Sequence, residues 1–311
     1  MCTSERCLCA QSSSSKVADD GVVVDVPANA AVGLIQMSGA TFIRNLKVHI
    51  NQREVYDSNQ LYSYKLFLDT ELSYPVAAKD SYFGVAGYFR DSDPTKQSEC
   101  RHHHINQDLY MISNVEIDIE LALQSDDFMI HQETANRDTY TLEIVDSRLI
   151  VKTVDLMDGL SLDIAKKLDM EPARYGIREN VDEEVPRRVI IGLVPNQNYI
   201  GHNQKNPFYF NHTTDIELTA SGRTYPQFPY NLDYKNNRYA RAYHDTQEHL
   251  VMACTTESNG ISYSMFKTAY CLYVFQMSNA QEDSPGFELI KEGCTAVSIR
   301  FAEAVPNEGS L

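Results

Sequence analysis

Tryptophan is absent from this chain of 311 residues, so 19 tyrosines and 12 phenylalanines supply its large aromatic side chains. The sequence also lacks any run of about 20 apolar residues, the length that a membrane-spanning helix requires. Met1 to Lys16 contains no apolar core of the kind that marks a secretory signal peptide. We therefore expect an intracellular protein, in the cytoplasm or the nucleus, that is not secreted and does not span a membrane.

Positive charge is scarce. The chain has 27 lysines and arginines against 43 aspartates and glutamates, and its formal net charge is -16. Recognition of nucleic acid needs clustered lysine and arginine to neutralise phosphates. The nearest approach to such a cluster, Arg187-Arg188, follows the acidic run Asp182–Glu184. The composition therefore predicts no direct, sequence-specific contact with nucleic acid.

Seven cysteines are scattered along the chain, and their odd number and irregular spacing do not fit a disulfide framework. Cys7 and Cys9 form a thiol pair near the start of the chain. A closed zinc site requires four ligands, and neither a histidine nor a second thiol pair stands near these two. We predict no metal site there.

Sequence signatures of catalysis are missing as well. The chain contains no G-x-S-x-G motif, which places a nucleophilic serine on a sharp turn, and no glycine-rich loop that would cradle a phosphate. Paired carboxylates are frequent, but in so acidic a chain they indicate solvated faces. We expect no enzymatic activity, no catalytic residues and no bound cofactor.

A metal enzyme of the cupin type is the less favoured hypothesis. His102 and His104 would share one face of a strand, because side chains alternate along it. His131 and Glu133 supply two of the three protein ligands of a two-histidine, one-carboxylate iron site, which needs one more histidine. The sequence offers several for that place: His202, His212, His244 and His249.

Alternation of apolar and polar residues with period two predicts β-strands. It is strictest at Val115–Leu121, whose apolar face we expect to be buried and whose acidic face we expect in solvent. Over Leu142–Val151 the phase of this alternation shifts around Asp146, which predicts a β-bulge or a bend in the strand. Tyr270–Phe275 is apolar on both faces, as in a central strand. Further strands are predicted at Leu46–Ile50, Val189–Leu193, Asp215–Thr219 and Val297–Phe301.

The predicted fold is mainly β, with two antiparallel β-domains and short helices in the loops and in the connector between the domains. One helix is predicted at Asp57–Leu72, with Asp57 and Gln60 as a capping box, and another at Asp158–Met170. The serine-rich start is expected to be disordered. The expected order is a disordered tail (1–20), a first β-domain (21–154), a helical connector (155–185) and a second β-domain (186–311).

The segment Asp233–Tyr243, DYKNNRYARAY, interleaves arginine with tyrosine. Tyrosine and arginine are enriched at protein–protein interfaces, so we predict that this segment forms a contact between subunits. Packing within one domain and stacking on single-stranded nucleic acid are alternatives. With the aromatic residues of the cluster Asn206–Phe210, the candidate interface residues are Phe208, Phe210, Arg238, Tyr239, Arg241 and Tyr243.

Three segments of the second half occur together and in order: Pro186–Val194, Lys205–His212 and Asp233–Tyr243. With the helix and strand pattern of the first half, they resemble the double jelly-roll major capsid proteins of Polinton or Maverick elements and adintoviruses. This family is hexon-like, and its gene copies occur in animal genomes. The resemblance covers roughly residues 21–306.

The resemblance implies that each half is an eight-stranded jelly roll and that three chains form a pseudo-hexagonal capsomer. Such homotrimers tile a shell around double-stranded DNA, so the expected partners are neighbouring capsomers and penton or minor capsid proteins, and the expected location is the virion. The family pattern also implies one strand before Gly21 and another beyond Leu311, and a jelly roll without them would have an open edge. A host-adopted β-sandwich that binds proteins or glycans is the main alternative.

Overall fold

The computed structural model describes residues 7–17, 23–25, 32–81, 83, 88, 116–132, 139–150, 162, 163, 166, 167, 186–202, 204–253, 257–277 and 293–301. For residues 7–25, 139 and 143–150 within these ranges, only the backbone is described.

Most of the secondary structure in the described residues is β. The strands are β1 Cys7–Val17, β2 Val23–Asp25, β3 Val32–Leu34, β4 Ile43–Ile50, β5 Arg53–Asp57, β6 Ile117–Leu123, β7 Ile130–Gln132, β8 Thr139–Ile150, β9 Arg188–Gly192, β10 Asp215–Ala220, β11 Arg223–Tyr225, β12 Leu272–Gln276 and β13 Thr295–Arg300. The helices are α1 Ser38–Thr41, α2 Tyr62–Ser73, α3 Val76–Ser81, α4 Asp126–Met129, α5 Asn196–Ile200, α6 Ala240–His249 and α7 Tyr263–Thr268. The prediction of a mainly-β chain with few helices is confirmed.

The strands form small antiparallel sheets, and each sheet is drawn from one half of the chain. The first half contributes β2-β1-β8, β3-β7 and β5-β4-β6, and the second contributes β11-β10-β13 and β12-β9. In the first half the pairs are nested in sequence, since β4–β6 lies inside β3–β7, which lies inside β1–β8.

Period-two alternation located strands correctly in both halves, at β4, β6, β9, β10 and β13. Leu272–Phe275 of β12 is buried on both faces, as its continuous apolar run predicted. The predicted bulge is present too. The register of β1 against β8 pairs Gln11 with Asp146 and Ser12 with Ile144, which leaves one extra residue on β8.

The expectation of a disordered tail over residues 1–20 is wrong for Cys7–Val17, which forms β1. This strand pairs with β8 from Cys7 opposite Ile150 to Val17 opposite Thr139. A strand is held by backbone hydrogen bonds, so the serine-rich composition does not oppose it once a long partner strand is present. Composition alone gave no sign of that distant partner.

Helix α2 begins at Tyr62, five residues after the predicted start at Asp57. Asp57 ends β5, and its carboxylate accepts a hydrogen bond from the Asn59 backbone N–H at 2.8 Å. Asn59 and Gln60 have φ values of 50° and 63°. Because a right-handed helix requires negative φ, these two residues form a turn and the predicted capping box does not exist. The second predicted helix, Asp158–Met170, lies outside the described residues apart from residues 162, 163, 166 and 167, which are helical.

The two halves share one apolar core. Phe67 of α2 stacks on Phe208 with ring centroids 4.1 Å apart and planes 2° from parallel. The Val76 backbone N–H donates to the Ser258 carbonyl at 2.9 Å. Gly201 lies against the backbone of α4 at φ 113°, and a Cβ there would come within 2.8 Å of the Phe128 nitrogen. Only glycine fits that approach.

The ammonium of a buried lysine, Lys79, also joins the halves. The Lys79 ammonium contacts the Glu71 carboxylate at 2.8 Å, and the two side chains are 1% and 4% exposed. The same ammonium donates to the Glu71 carbonyl at 2.7 Å and to the Asn259 carbonyl at 2.8 Å. One side chain therefore connects α2, α3 and the loop before α7.

Strand β6 contradicts the expectation that its apolar face is buried. Ile117, Ile119, Leu121 and Leu123 are 39–52% exposed. They pair directly with residues of β4, which places Leu46, Val48 and Ile50 beside them. We call the surface made by these seven side chains the β4–β6 apolar face. Period two predicted which residues share a face, but burial depends on a covering layer that the pattern does not contain.

No helix among the described residues has both the length and the apolar character needed to cross a membrane.

Candidate functional site: the Tyr–Arg segment

The Tyr–Arg segment, Asp233–Tyr243, opens with a tight turn. Asp233 and Arg238 exchange two backbone hydrogen bonds, at 3.1 and 2.8 Å, and Asn237 has a φ of 56°. The Asp233 carboxylate accepts from the side chain of Asn236 at 2.7 Å and from its backbone N–H at 3.1 Å. These two hydrogen bonds, with a smaller contribution from Arg238, hold the pKa of Asp233 below its ordinary value.

The segment continues directly into helix α6, which the sequence analysis did not predict. Ala242 and Thr246 are buried, and the Thr246 hydroxyl donates to the Leu272 carbonyl at 3.0 Å, so α6 packs against β12. Small and apolar residues at Ala242, Thr246 and Leu250 recur every fourth position, which is a helical period. This helical spacing is visible in the sequence, but the segment was interpreted from its arginines and tyrosines, and the helix was not predicted.

Four rings form an aromatic column through this region: His212, Tyr234, Tyr239 and Tyr263. Successive ring centroids are 4.3, 4.9 and 4.2 Å apart, and each pair of planes lies within 14° of parallel. Tyr239 in the middle is 3% exposed, whereas His212 and Tyr263 at the ends are exposed. The column fixes the turn of the Tyr–Arg segment against the start of α7.

The six predicted interface residues separate into two groups. Phe208, Phe210 and Tyr239 are only 2–3% exposed and pack in the core of their own chain. The prediction that these three residues contact a partner is therefore wrong. Aromatic side chains pack in a core as readily as in an interface, so residue type alone did not distinguish the two. Arg238 and Arg241 have side chains that are 73% and 47% exposed, and Tyr243 is half-buried. Their role in an interface stays a prediction.

Arg241 is held in a defined position at the surface. Its Nη1 donates to the Phe228 carbonyl at 3.0 Å, its guanidinium lies 5.2 Å from the centre of the Tyr230 ring, and its Nε is 3.8 Å from the Asp245 carboxylate. The Tyr230 hydroxyl donates to the same carboxylate at 3.0 Å. Burial, and then the negative charge of Asp245, raise the pKa of Tyr230 above its ordinary value, so this hydroxyl stays a donor.

The column adjoins a buried polar cluster of Tyr234, Cys271 and Tyr273, and Tyr234 belongs to both. The two hydroxyl oxygens are 2.8 Å apart, and the Cys271 sulfur lies 3.1 Å from one and 3.2 Å from the other. Burial raises the pKa of the Cys271 thiol to about 11 and raises the pKa of both tyrosines. The thiol is therefore protonated at neutral pH and has a structural role, because a nucleophilic cysteine acts as its thiolate.

The residues of the metal-enzyme hypothesis do not assemble within the described part of the chain. His131 lies on β7 and belongs to no close group of metal-ligand side chains there, while Glu133, His102 and His104 lie outside the described residues. Ligand atoms of His244, Asp245 and Glu248 do come within 4.8 Å of one another on α6. Such spacing on one exposed helix face is also that of ordinary ion pairs, so it assigns no metal.

A groove of about 400 Å³ opens beside α6. One wall is made by the helix face that carries Tyr243, His244 and Gln247, and Met252 and Tyr263 form other parts of the lining. Sequence reasoning did not find this groove, because its walls come from the end of α6, the following loop and the start of α7. The groove adjoins the Tyr–Arg segment, because Ala240 and Tyr243 of that segment belong to its lining.

Protonation of His212 is expected to weaken the fold. Although the His212 side chain is exposed overall, the face of its ring that stacks on Tyr234 is shielded from water. This partial desolvation lowers the pKa of His212 below its ordinary value of 6.5, so the folded state favours the neutral ring. Because the folded pKa is depressed, this contribution is present above 6.5 and is lost as the pH falls through the lowered pKa. Urea unfolding should show a larger loss of stability from about pH 7.5 to about pH 5 in the wild type than in His212→Phe, which keeps the stack. Equal losses would contradict this assignment.

No family model matches this chain. It is similar to an uncharacterised protein of Caenorhabditis elegans, with 24% identity over 310 residues, and the match covers 86% of this chain and 74% of that relative. A match of this extent includes parts of both halves of the chain. Sequence similar to both halves therefore occurs within that one relative.

Proposed function

We propose that this chain is a structural subunit that assembles with copies of itself, as the major capsid protein of a Polinton- or Maverick-type DNA virus or integrated element. In this proposal each half is a jelly roll and three chains form a hexon-like capsomer. The chain acts through its surfaces and carries out no reaction. Its partners are two further copies, neighbouring capsomers, and penton or minor capsid proteins.

The observation that carries the proposal is the β4–β6 apolar face. Four large aliphatic side chains of β6 are 39–52% exposed, next to three more from β4, although the chain has a well-packed core elsewhere. Apolar area costs about 25 cal/mol for each Å² left in water. Contiguous exposed apolar surface of this kind marks a contact surface for another molecule. A subunit that buries this face in an assembly recovers that free energy.

The position of β6 in its sheet supports the same conclusion. Among the described strands, β6 is at one edge of the order β5-β4-β6, and β13 is at one edge of the order β11-β10-β13. Edge strands present unpaired N–H and C=O groups that can pair with another chain. In a capsomer these edges and the apolar face would lie against neighbouring chains.

Support for the jelly-roll architecture comes from the nested pairs of the first half, because a jelly roll is a rolled-up antiparallel hairpin built from Greek-key connections. The resemblance of Pro186–Val194, Lys205–His212 and Asp233–Tyr243 to the capsid family supports the assignment of the second half. The groove beside α6 is also compatible with the alternative of a host-adopted binding module, which would be a stable monomer or dimer.

Light scattering after size exclusion tests the proposal. The untagged chain is expected to have three times the 35.3 kDa mass of one chain. The variant Ile119→Lys/Leu121→Lys places two charges on the β4–β6 apolar face and should have the mass of one chain, with an unchanged circular dichroism spectrum. Asp118→Asn/Glu120→Gln alters the neighbouring positions of the same strand and should keep the wild-type mass.

Two outcomes would contradict the proposal in different ways. A wild-type protein that stays monomeric at high concentration would exclude a self-assembling subunit and would favour the binding module. A lysine variant that still forms the three-chain species would show that the β4–β6 apolar face is not the contact.

A further inference from the structure

The most exposed of the large apolar side chains in the described residues is Phe228, at 72%. It stands between Pro226 and Pro229 in the loop that follows β11. A phenyl ring in water is unfavourable, and a loop can usually turn such a ring inward. Two nearby prolines restrict that movement, because each fixes its own φ angle.

Arg241 of the Tyr–Arg segment also holds this loop in position. Arg241 donates to the Phe228 carbonyl at 3.0 Å and lies against the Tyr230 ring. The Tyr230 backbone N–H donates to the buried Asp215 carboxylate at 3.2 Å, and its hydroxyl donates to Asp245. The backbone that presents Phe228 is therefore ordered in the single chain, and an ordered aromatic side chain binds a partner at low entropic cost.

We propose that Phe228 inserts into the α6 groove of a second copy of this chain. This inference rests on the proposed function, since it names one contact between the assembling subunits. The groove, at about 400 Å³, lies in the size range of sites that hold small ligands, which is sufficient for one aromatic side chain. Its lining includes Tyr243, Met252 and Tyr263, which offer ring faces and a thioether to a phenyl ring.

The charged residues near Phe228 and near the groove have opposite signs. Arg241, 47% exposed, lies at the base of Phe228. Glu248, 61% exposed, lies 3.7 Å from the ring of His244, which lines the groove. Arg241 is paired with Asp245 of its own chain only at 3.8 Å, so its guanidinium keeps exposed donors. Docking would bring these donors toward Glu248 beside the groove of the other copy, which favours encounter of the correct faces.

Phe228 and the groove are different surfaces of one chain, so the contact is heterologous. Arg241, which holds the Phe228 loop, and Tyr243 and Gln247, which line the groove, project from different faces of α6. Contacts of this type generate closed rings when the rotation between subunits closes. A ring of three satisfies the proposed capsomer and uses every Phe228 and every groove once.

Complementation between two defective chains tests the contact. Phe228→Ser removes the inserted side chain, and Ala253→Trp fills the groove, in which Ala253 is exposed. Each variant alone should fall from the three-chain mass to the one-chain mass in light scattering. An equal mixture retains one intact contact, from Phe228 of the Trp variant to the groove of the Ser variant, and should give a two-chain species. Ile200→Ser removes an apolar side chain that is 65% exposed on α5 and should keep the wild-type mass.

A trapping measurement supplies the second readout. Phe228→Cys chains mixed with Ala253→Cys chains should form a disulfide between residues 228 and 253, located by peptide mass spectrometry. A Phe228→Ser protein that keeps the three-chain mass would overturn the inference and leave the proposed function intact. A monomeric wild type would overturn both. Absence of both the two-chain species and the disulfide, with a three-chain wild type, would overturn the pairing of Phe228 with the groove.

Discussion

Lys79→Met is expected to lower the free energy of unfolding by about 3–5 kcal/mol, because it leaves a buried carboxylate without its counter-charge. Glu71 is 3% exposed, and among the described residues its Oε1 has no hydrogen-bond partner, so the Lys79 ammonium at 2.8 Å compensates its charge. The same substitution removes hydrogen bonds to two carbonyl oxygens, at Glu71 and Asn259. Urea unfolding followed by tyrosine fluorescence and circular dichroism measures the loss.

Two further variants make this prediction specific. Lys79→Met/Glu71→Leu removes both charges and should recover a large part of the loss, because replacing a buried ion pair by apolar side chains is often neutral. Lys47→Met removes an ammonium that lies 2.8 Å from Asp57 at the surface and should change the stability little. If Lys79→Met and Lys47→Met had equal effects, the Lys79 pair would not be a significant link between the halves.

The position of this pair shows why the sequence could not predict it. Lys79 and Asn259 are 180 residues apart in the chain, and nothing local to either residue indicates the other. Strands such as β4 and β10 were predictable because their period-two pattern is a local consequence of having one buried face. Tertiary partners of single polar residues leave no such pattern.

Whether a feature depends on neighbouring or on distant residues also explains which other predictions were correct and which were wrong. The bulge at the Asp146 region of β8 was predictable, because a register change shifts the phase of alternation within a few residues. Strand β1 was not, since its existence depends on β8, more than a hundred residues away. The start of α2 was misplaced because the positive φ angles of Asn59 and Gln60 are set by the turn after β5.

Within the candidate site, all six residues were predicted to contact another subunit, and the sequence did not separate the aromatic residues of the core from those at the surface. A guanidinium without a buried partner remains in water, so Arg238 and Arg241 were identifiable from residue type. A phenylalanine fits a core and an interface equally well, and only the fold distinguishes Phe208, at 2% exposure, from Phe228, at 72%. The groove and the loop of Phe228 are products of tertiary structure.

Phe208→Ala is the second substitution with a large expected effect, a loss of about 3–5 kcal/mol in the free energy of unfolding. The ring stacks on Phe67 at 4.1 Å and meets Tyr64 and Phe128 edge-on at 5.6 and 6.0 Å. Its removal leaves a cavity where α2, α4 and the second half of the chain meet. Urea unfolding measures the loss, and Phe208→Leu, which fills part of the space, should lose less.

This substitution also separates the core role of Phe208 in the structure from the interface role that the sequence predicted for it. A core residue contributes to the stability of the single chain, so its loss should lower the unfolding midpoint whether or not the chain is assembled. An interface residue contributes only in the assembly, so its loss should raise the concentration at which the three-chain species dissociates. Phe228→Ser is the matched contrast, with a small expected effect on unfolding and a large one on mass. Phe208→Ala that kept its stability but lost the three-chain mass would restore the interface assignment that burial in the core excludes.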